Sequence, residues 1–131
     1  MTPTPRLVID SWAWLELFSG SEKGKSVDRA IGDAAEVYTT GITLAEVVST
    51  AARRGRPTED KIQAIRSQSK VTVASSEDAI EAGTIHAQIK EKVPNFSLAD
   101  AFVLQAAKRL GAKVLTGDPD FRGIKEAEFV G

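Results

Sequence analysis

The sequence predicts an α/β fold: a central, mostly parallel sheet of four to five strands flanked by helices in a three-layer sandwich. Short runs with strand character recur along the chain, at Leu7-Val8-Ile9, Glu36-Val37-Tyr38-Thr39, Val71-Thr72-Val73 and Lys113-Val114-Leu115-Thr116. Each is too short for a core helix, and longer stretches with helical periodicity separate them. Strands alternating with helices demand crossover connections, which pair the strands in parallel and cover both sheet faces. The third observation is size. A chain of 131 residues, 42% of them apolar, fills one core, so residues 1–131 are expected to form a single domain. No repeat, low-complexity tract or linker interrupts it.

Leu7-Val8-Ile9 is the first strand, followed by Trp12, Leu15, Leu17 and Phe18, a helical patch closed by Gly20. Glu22 to Ala35 predicts a second helix with Val27, Ala30 and Ile31 on one face. After the strand Glu36 to Thr39, the segment Thr43 to Arg54 reads as a helix stopped by Gly55 and Pro57. Thr58 to Ser69 is a further helix with Ile62 and Ile65 inward, ahead of the strand Val71-Thr72-Val73. Ser76 to Lys90 is a helix expected to pack through Ala79, Ile80, Gly83 and Ala87. Pro94 and Asn95 break the chain, and Ser97 to Leu110 is the most apolar helix, with Leu98, Ala101, Phe102, Leu104 and Gln105 clustered. Gly111 ends it before the strand Lys113 to Thr116, and Glu128-Phe129-Val130 is a candidate fifth strand.

Composition narrows the chemistry. A formal net charge of −1 gives no global attraction to nucleic acid or acidic lipid, so any such contact needs a local basic patch. The absence of cysteine removes disulfides, thiolate zinc sites and cysteine nucleophiles. The start, Met-Thr-Pro-Thr-Pro-Arg, lacks the apolar stretch of a signal peptide, and no run approaches the ~20 residues of a membrane span. A cytoplasmic protein without membrane contact is the expectation.

In open parallel sheets, sites form beyond the carboxyl ends of the strands. The first strand exits into Asp10 and the fourth into Thr116-Gly117-Asp118, while Glu46 and Asp100 lie one turn inside helices among apolar neighbours. Each acid has an ordinary explanation. Thr43 to Glu46 and Ser97 to Asp100 have capping-box spacing, and Asp10 and Asp118 can cap the segments that follow them. Asp118-Pro119-Asp120 is also a common turn string. Parallel topology, however, sends all of these acids to one sheet edge. Carboxylates within ~5 Å repel unless neutralised, and hard divalent cations with oxygen ligands do that well. Such a site suits phosphodiester hydrolysis. A single histidine and no cysteine argue against zinc.

Four motifs in register resemble the PIN domain family, and most closely its VapC-type ribonuclease toxins of toxin–antitoxin pairs. They are Val8-Ile9-Asp10-Ser11, Ile42-Thr43-Leu44-Ala45-Glu46-Val47, Leu98-Ala99-Asp100-Ala101 and Leu115-Thr116-Gly117-Asp118-Pro119-Asp120-Phe121. The resemblance implies a PIN-like fold and Mg²⁺- or Mn²⁺-dependent endoribonuclease activity. It implies Asp10, Glu46, Asp100 and Asp118 as the catalytic acids, with Asp10, Asp100 and Asp118 on one or two metal ions. It further implies an RNA substrate, a cognate antitoxin and a homodimer. Asp120, Thr116 and Ser11 are possible auxiliaries, with Ser11 read first as a plain strand-end hydroxyl.

Lys23, Lys25 and Arg122 are candidate RNA contacts, while Arg53, Arg54 and Arg56 at a helix end match the helix dipole equally well. Trp12 and Trp14 start an apolar helix face and are expected in packing, although base stacking is open to them. His86 lies away from the acids in the pattern. The competing readings are a non-catalytic PIN-like binding module, a general RNA-processing nuclease, and a phosphoryl-transfer enzyme. The last fits poorly, because Asp10-Ser11-Trp12 lacks the Asp-x-Asp of phosphatases and Val8-Ile9 lacks the acidic pair of receivers.

Overall fold

The pivot of the molecule is its first strand, β1 (Arg6–Ile9), whose three apolar residues are completely buried. Residues 5–130 are described in the structure, a computed structural model. The remaining strands are β2 (Glu36–Thr40), β3 (Lys70–Thr72), β4 (Lys113–Thr116) and β5 (Ala127–Phe129), in the spatial order β3-β2-β1-β4-β5. Every pairing is parallel. The expected fifth strand thus exists, one residue earlier than the apolar pattern suggests. The chain winds outward through β2 and β3, then returns to lay β4 against the other side of β1. The winding reverses between β1 and β4, so a crevice opens beyond their carboxyl ends.

Six helices make the crossovers. They are α1 (Ser11–Ser19), α2 (Glu22–Asp33), α3 (Gly41–Arg53), α4 (Glu59–Gln68), α5 (Ser76–Lys90) and α6 (Leu98–Leu110). Strand side chains alternate between the two faces. Leu7, Ile9 and Leu115 enter a core with Trp14, Val27, Ile31, Val47 and Ile65. Val8 and Val114 enter the opposite core with Ala82, Phe96, Leu104 and Phe121. Phe96 and Phe121 meet edge to face with centroids 5.5 Å apart, a favoured aromatic geometry.

Polar groups inside these layers are paired. Trp14 Nε1 donates to Thr39 Oγ1 at 3.1 Å, and Thr39 Oγ1 lies 2.7 Å from Ser69 Oγ, tying α1, β2 and the end of α4 together. His86 Nε2 donates to the Phe96 carbonyl at 3.1 Å, so the histidine serves the α5–α6 junction. Gly20 and Gly111 close α1 and α6 in left-handed conformation, where glycine avoids the Cβ penalty.

Two local expectations are corrected. Thr43 does not open α3. Gly41 is already helical, Thr40 is the cap, and its Oγ1 accepts the Thr43 N–H at 3.1 Å. Glu46 is therefore free of the capping box that its spacing suggested. The packing side of α5 is also rotated. Ala79, Ile80, Gly83 and Ala87 are exposed, while Ala82 is buried and Ile85 and Ile89 pack behind it. Small and apolar residues occur on several sides of α5, so periodicity alone does not choose among them. Asp78 does: its Oδ1 accepts from Gln105 Nε2 at 2.8 Å and meets Arg109 Nε at 3.5 Å, which turns this side of α5 toward α6.

Candidate active site

The exits of β1 and β4 are joined by a relay of hydrogen bonds. Asp10 follows β1 and caps α1, its Oδ1 accepting the Ala13 N–H at 2.9 Å. Its Oδ2 accepts from Thr116 Oγ1 at 2.5 Å. Thr116 Oγ1 in turn accepts the Asp118 N–H at 2.9 Å, and Asp118 Oδ1 accepts the Asp120 N–H at 2.9 Å. The same bonds that cap these segments therefore hold Asp10, Asp118 and Asp120 at one sheet edge. Asp10 is only 4% exposed. Burial pushes its pKa up to about 7, against the bonds from Thr116 and Ala13, and the charges of Asp118 and Asp100 push the same way as burial.

Asp100 comes from the first turn of α6. It closes a capping box with Ser97: the Ser97 N–H donates to Asp100 Oδ2, and the Asp100 N–H donates to Ser97 Oγ, both at 3.0 Å. Its Oδ1 takes no part in that box. Carboxylate oxygens of Asp100, Asp118 and Asp120, one from each, lie within 4.8 Å of one another. Burial raises the pKa of Asp100, its Ser97 bonds oppose the rise, and Asp118 and Asp120 add to it.

Glu46 stands on the second turn of α3, half-buried in a groove lined by Ile42, Ala45, Ser49 and Thr50. Burial raises its pKa, the Ser11 hydroxyl beside it partly offsets this, and Asp100 raises it further. It thus shares the electrostatic field of the cluster without belonging to the three-oxygen group. Among the described residues, none of these five acids forms an ion pair with a lysine or arginine. A crowd of partly desolvated carboxylates without ion-pair partners is suited to a hard divalent ion, and the oxygen-only donor set fits Mg²⁺ or Mn²⁺.

The basic candidates separate. Lys25 Nζ is paired with Glu22 at 3.1 Å, whereas Lys23 Nζ lies 5.7 Å from the centroid of the Trp12 ring. Arg122 is exposed just after the turn Pro119–Phe121. Arg53 is bonded to the Ser49 and Thr50 hydroxyls on its own helix. Spacing of acids does not flag Gly117, which packs against Trp12 beside the relay. Its only signal in sequence is its place between Thr116 and Asp118.

The sequence profile of the PIN domain family matches residues 7–127. A search of curated proteins gives no match to this sequence. Among solved structures, VapC20 of Mycobacterium tuberculosis, described as a sarcin–ricin loop cleaving toxin, is similar with a TM-score of 0.78 at 16% identity, covering 95% of this chain and 99% of that one. A toxin–antitoxin complex from Klebsiella pneumoniae gives a TM-score of 0.69 at 19% identity, covering 93% and 95%. DNA-bound VapBC from Salmonella typhimurium gives 0.69 at 18%, covering 95% and 96%. At these identities the structural likeness is one of fold.

Proposed function

The chain belongs to the PIN domain family, and from that premise we propose that it is a divalent-metal-dependent endoribonuclease, the toxin of a VapBC-type toxin–antitoxin pair. The observation that carries the reading is the grouping of Asp100, Asp118 and Asp120 oxygens within 4.8 Å, next to a buried Asp10, with none of these acids in an ion pair among the described residues. The descriptions of VapC20 as a loop-cleaving toxin and of the other two neighbours as toxin–antitoxin assemblies support RNA as substrate and a protein antitoxin as partner.

In this mechanism Asp10, Asp100 and Asp118 would hold Mg²⁺ or Mn²⁺, and Asp120, whose oxygen groups with those of Asp100 and Asp118, would contribute a further ligand. A divalent ion bound there supplies positive charge for phosphodiester oxygens and makes water a better nucleophile near neutral pH. Glu46, its pKa raised by burial, would orient a water at this edge and take up its proton. Thr116 holds Asp10 in one rotamer, and Asp118 caps the turn that carries Asp120. Lys23 and Arg122 are the cations proposed to meet RNA phosphates. Exposed Ile42 and Val73, which line an apolar cavity of about 230 Å³, support a homodimer.

The capping bonds of Asp10, Asp100 and Asp118 favour a second reading, a non-catalytic binding module in which the acids serve the fold alone. One experiment separates the two. A structured RNA is incubated with Mg²⁺, Mn²⁺ or EDTA and with wild type or Asp100→Asn. The nuclease reading expects cleavage only with metal and a loss of about 100-fold or more in the variant. Cleavage by Asp100→Asn at the wild-type rate, or cleavage in EDTA, overturns it.

A further inference from the structure

We propose that Trp12 is a positioning residue for the acidic cluster: its indole, seated on the backbone at Gly117, fixes the step from Thr116 to Asp118 on which Asp118 and Asp120 depend. The inference rests on the metal-site reading above and deepens it.

Gly117 is not glycine for its own backbone. Left-handed glycines among the described residues are Gly20, Gly55, Gly111 and Gly123, and Gly117 is not one of them. What it lacks room for is a side chain. A Cβ built there would collide with Cη2, Cζ2 and Cζ3, all atoms of the six-membered ring of Trp12. The missing methyl group is thus the seat of the indole.

The seat lies between two members of the relay. On one side Thr116 Oγ1 donates to Asp10 Oδ2, and on the other the Asp118 N–H donates back to Thr116 Oγ1. Trp12 is two residues beyond Asp10. The segment leaving β1 therefore grips the segment leaving β4 twice, through the Asp10–Thr116 bond and through the ring on Gly117. The polar bond engages Thr116, and the ring occupies the space beside Gly117, the residue that joins Thr116 to Asp118. From α2, Lys23 Nζ stands 5.7 Å from the ring centroid, a cation–π arrangement that helps keep the indole in place. The two tryptophans of α1 consequently differ in task. Trp14 is fully buried and bonded to Thr39, whereas Trp12 is half-buried at the sheet edge that carries the acids.

The test measures Mn²⁺ affinity by electron paramagnetic resonance, backbone amide shifts of residues 116–120 by NMR, and thermal melting in EDTA. The variants are Gly117→Ala, Trp12→Ala, Trp12→Phe and the double Trp12→Ala/Gly117→Ala. Gly117→Ala is expected to move the amide shifts and weaken Mn²⁺ binding by about tenfold or more. In the double variant the loss should be smaller than the product of the single losses, because the added methyl no longer meets a ring. Trp12→Phe, which keeps an aromatic ring but does not reach as far, should weaken Mn²⁺ with little change in the melt, and it decides the matter if Gly117→Ala fails to fold. Mn²⁺ affinity within about twofold of wild type in Gly117→Ala or Trp12→Phe, or losses that simply multiply, overturns the proposal. RNA cleavage is followed in parallel. Wild type that binds Mn²⁺ with this dependence yet cleaves no RNA overturns only the ribonuclease reading, and wild type that binds no Mn²⁺ overturns both.

Discussion

Asp10 caps a helix, receives a threonine hydroxyl and sits with like charges while almost wholly buried. Its folded-state pKa of about 7 lies above the ordinary value of 3.8. Between these values the folded chain keeps a proton that the unfolded chain has released. Metal-free stability therefore falls as pH rises through that window, and the penalty is complete above about 7. Below 3.8 both states are protonated and the penalty is absent. Asp10→Asn removes the titration. In EDTA, the melting temperature of wild type should drop relative to Asp10→Asn by several degrees between about pH 4.5 and about pH 8. A gap independent of pH would contradict this. The strand-exit acids were legible in sequence because each follows a short apolar run. The cap of α3 was not, since Thr39, Thr40 and Thr43 crowd the same stretch. The choice falls to Thr40 because β2 runs on to that residue, opposite Thr72.

Helix α5 shows the same limit at the scale of an element. Its boundaries, Ser76 to Lys90, are readable from the break at Pro94-Asn95 and the acids in its first turn. Its inward face is not, because the deciding contact, Asp78 to Gln105, joins residues 27 positions apart. The rotated face makes a paired prediction. Ala82→Leu, forced between α5 and α6, should cost about 1–3 kcal/mol in a denaturant melt. Ile80→Ser, at 71% exposure, should stay within about 0.5 kcal/mol of wild type. Reversed sensitivities would restore the face that the apolar pattern suggests. By contrast, the strongly apolar character of α6 was readable: Ala101, Val103, Leu104, Gln105, Ala106 and Ala107 are buried around most of its circumference, although Leu98, expected to cluster with them, is 53% exposed.

For the whole molecule, alternation of strands and helices gave the parallel sheet, and the acids at strand exits gave the edge where they meet. The spatial order of strands and the seat of Trp12 on Gly117 were beyond reach, since both depend on which distant segments become neighbours. The acidic cluster is assembled from α6 and the β4 exit, so the proposed ion binding would be a property of the folded chain alone. Mn²⁺ at about 100 times its Kd should therefore stabilise the protein by about 2.7 kcal/mol, seen as a rise in melting temperature. Asp118→Asn should lose most of that rise, and an equal rise in the variant would place the ion elsewhere.

The hydrogen bond from Thr116 to Asp10 spans 106 positions. During synthesis Asp10 is therefore made 106 residues ahead of the threonine that bonds it. A nascent chain that has not yet delivered β4 owns neither half of the relay in working order. Until β4 and the turn after it are made, Asp10 has no threonine hydroxyl to receive, and the three-oxygen group lacks Asp118 and Asp120.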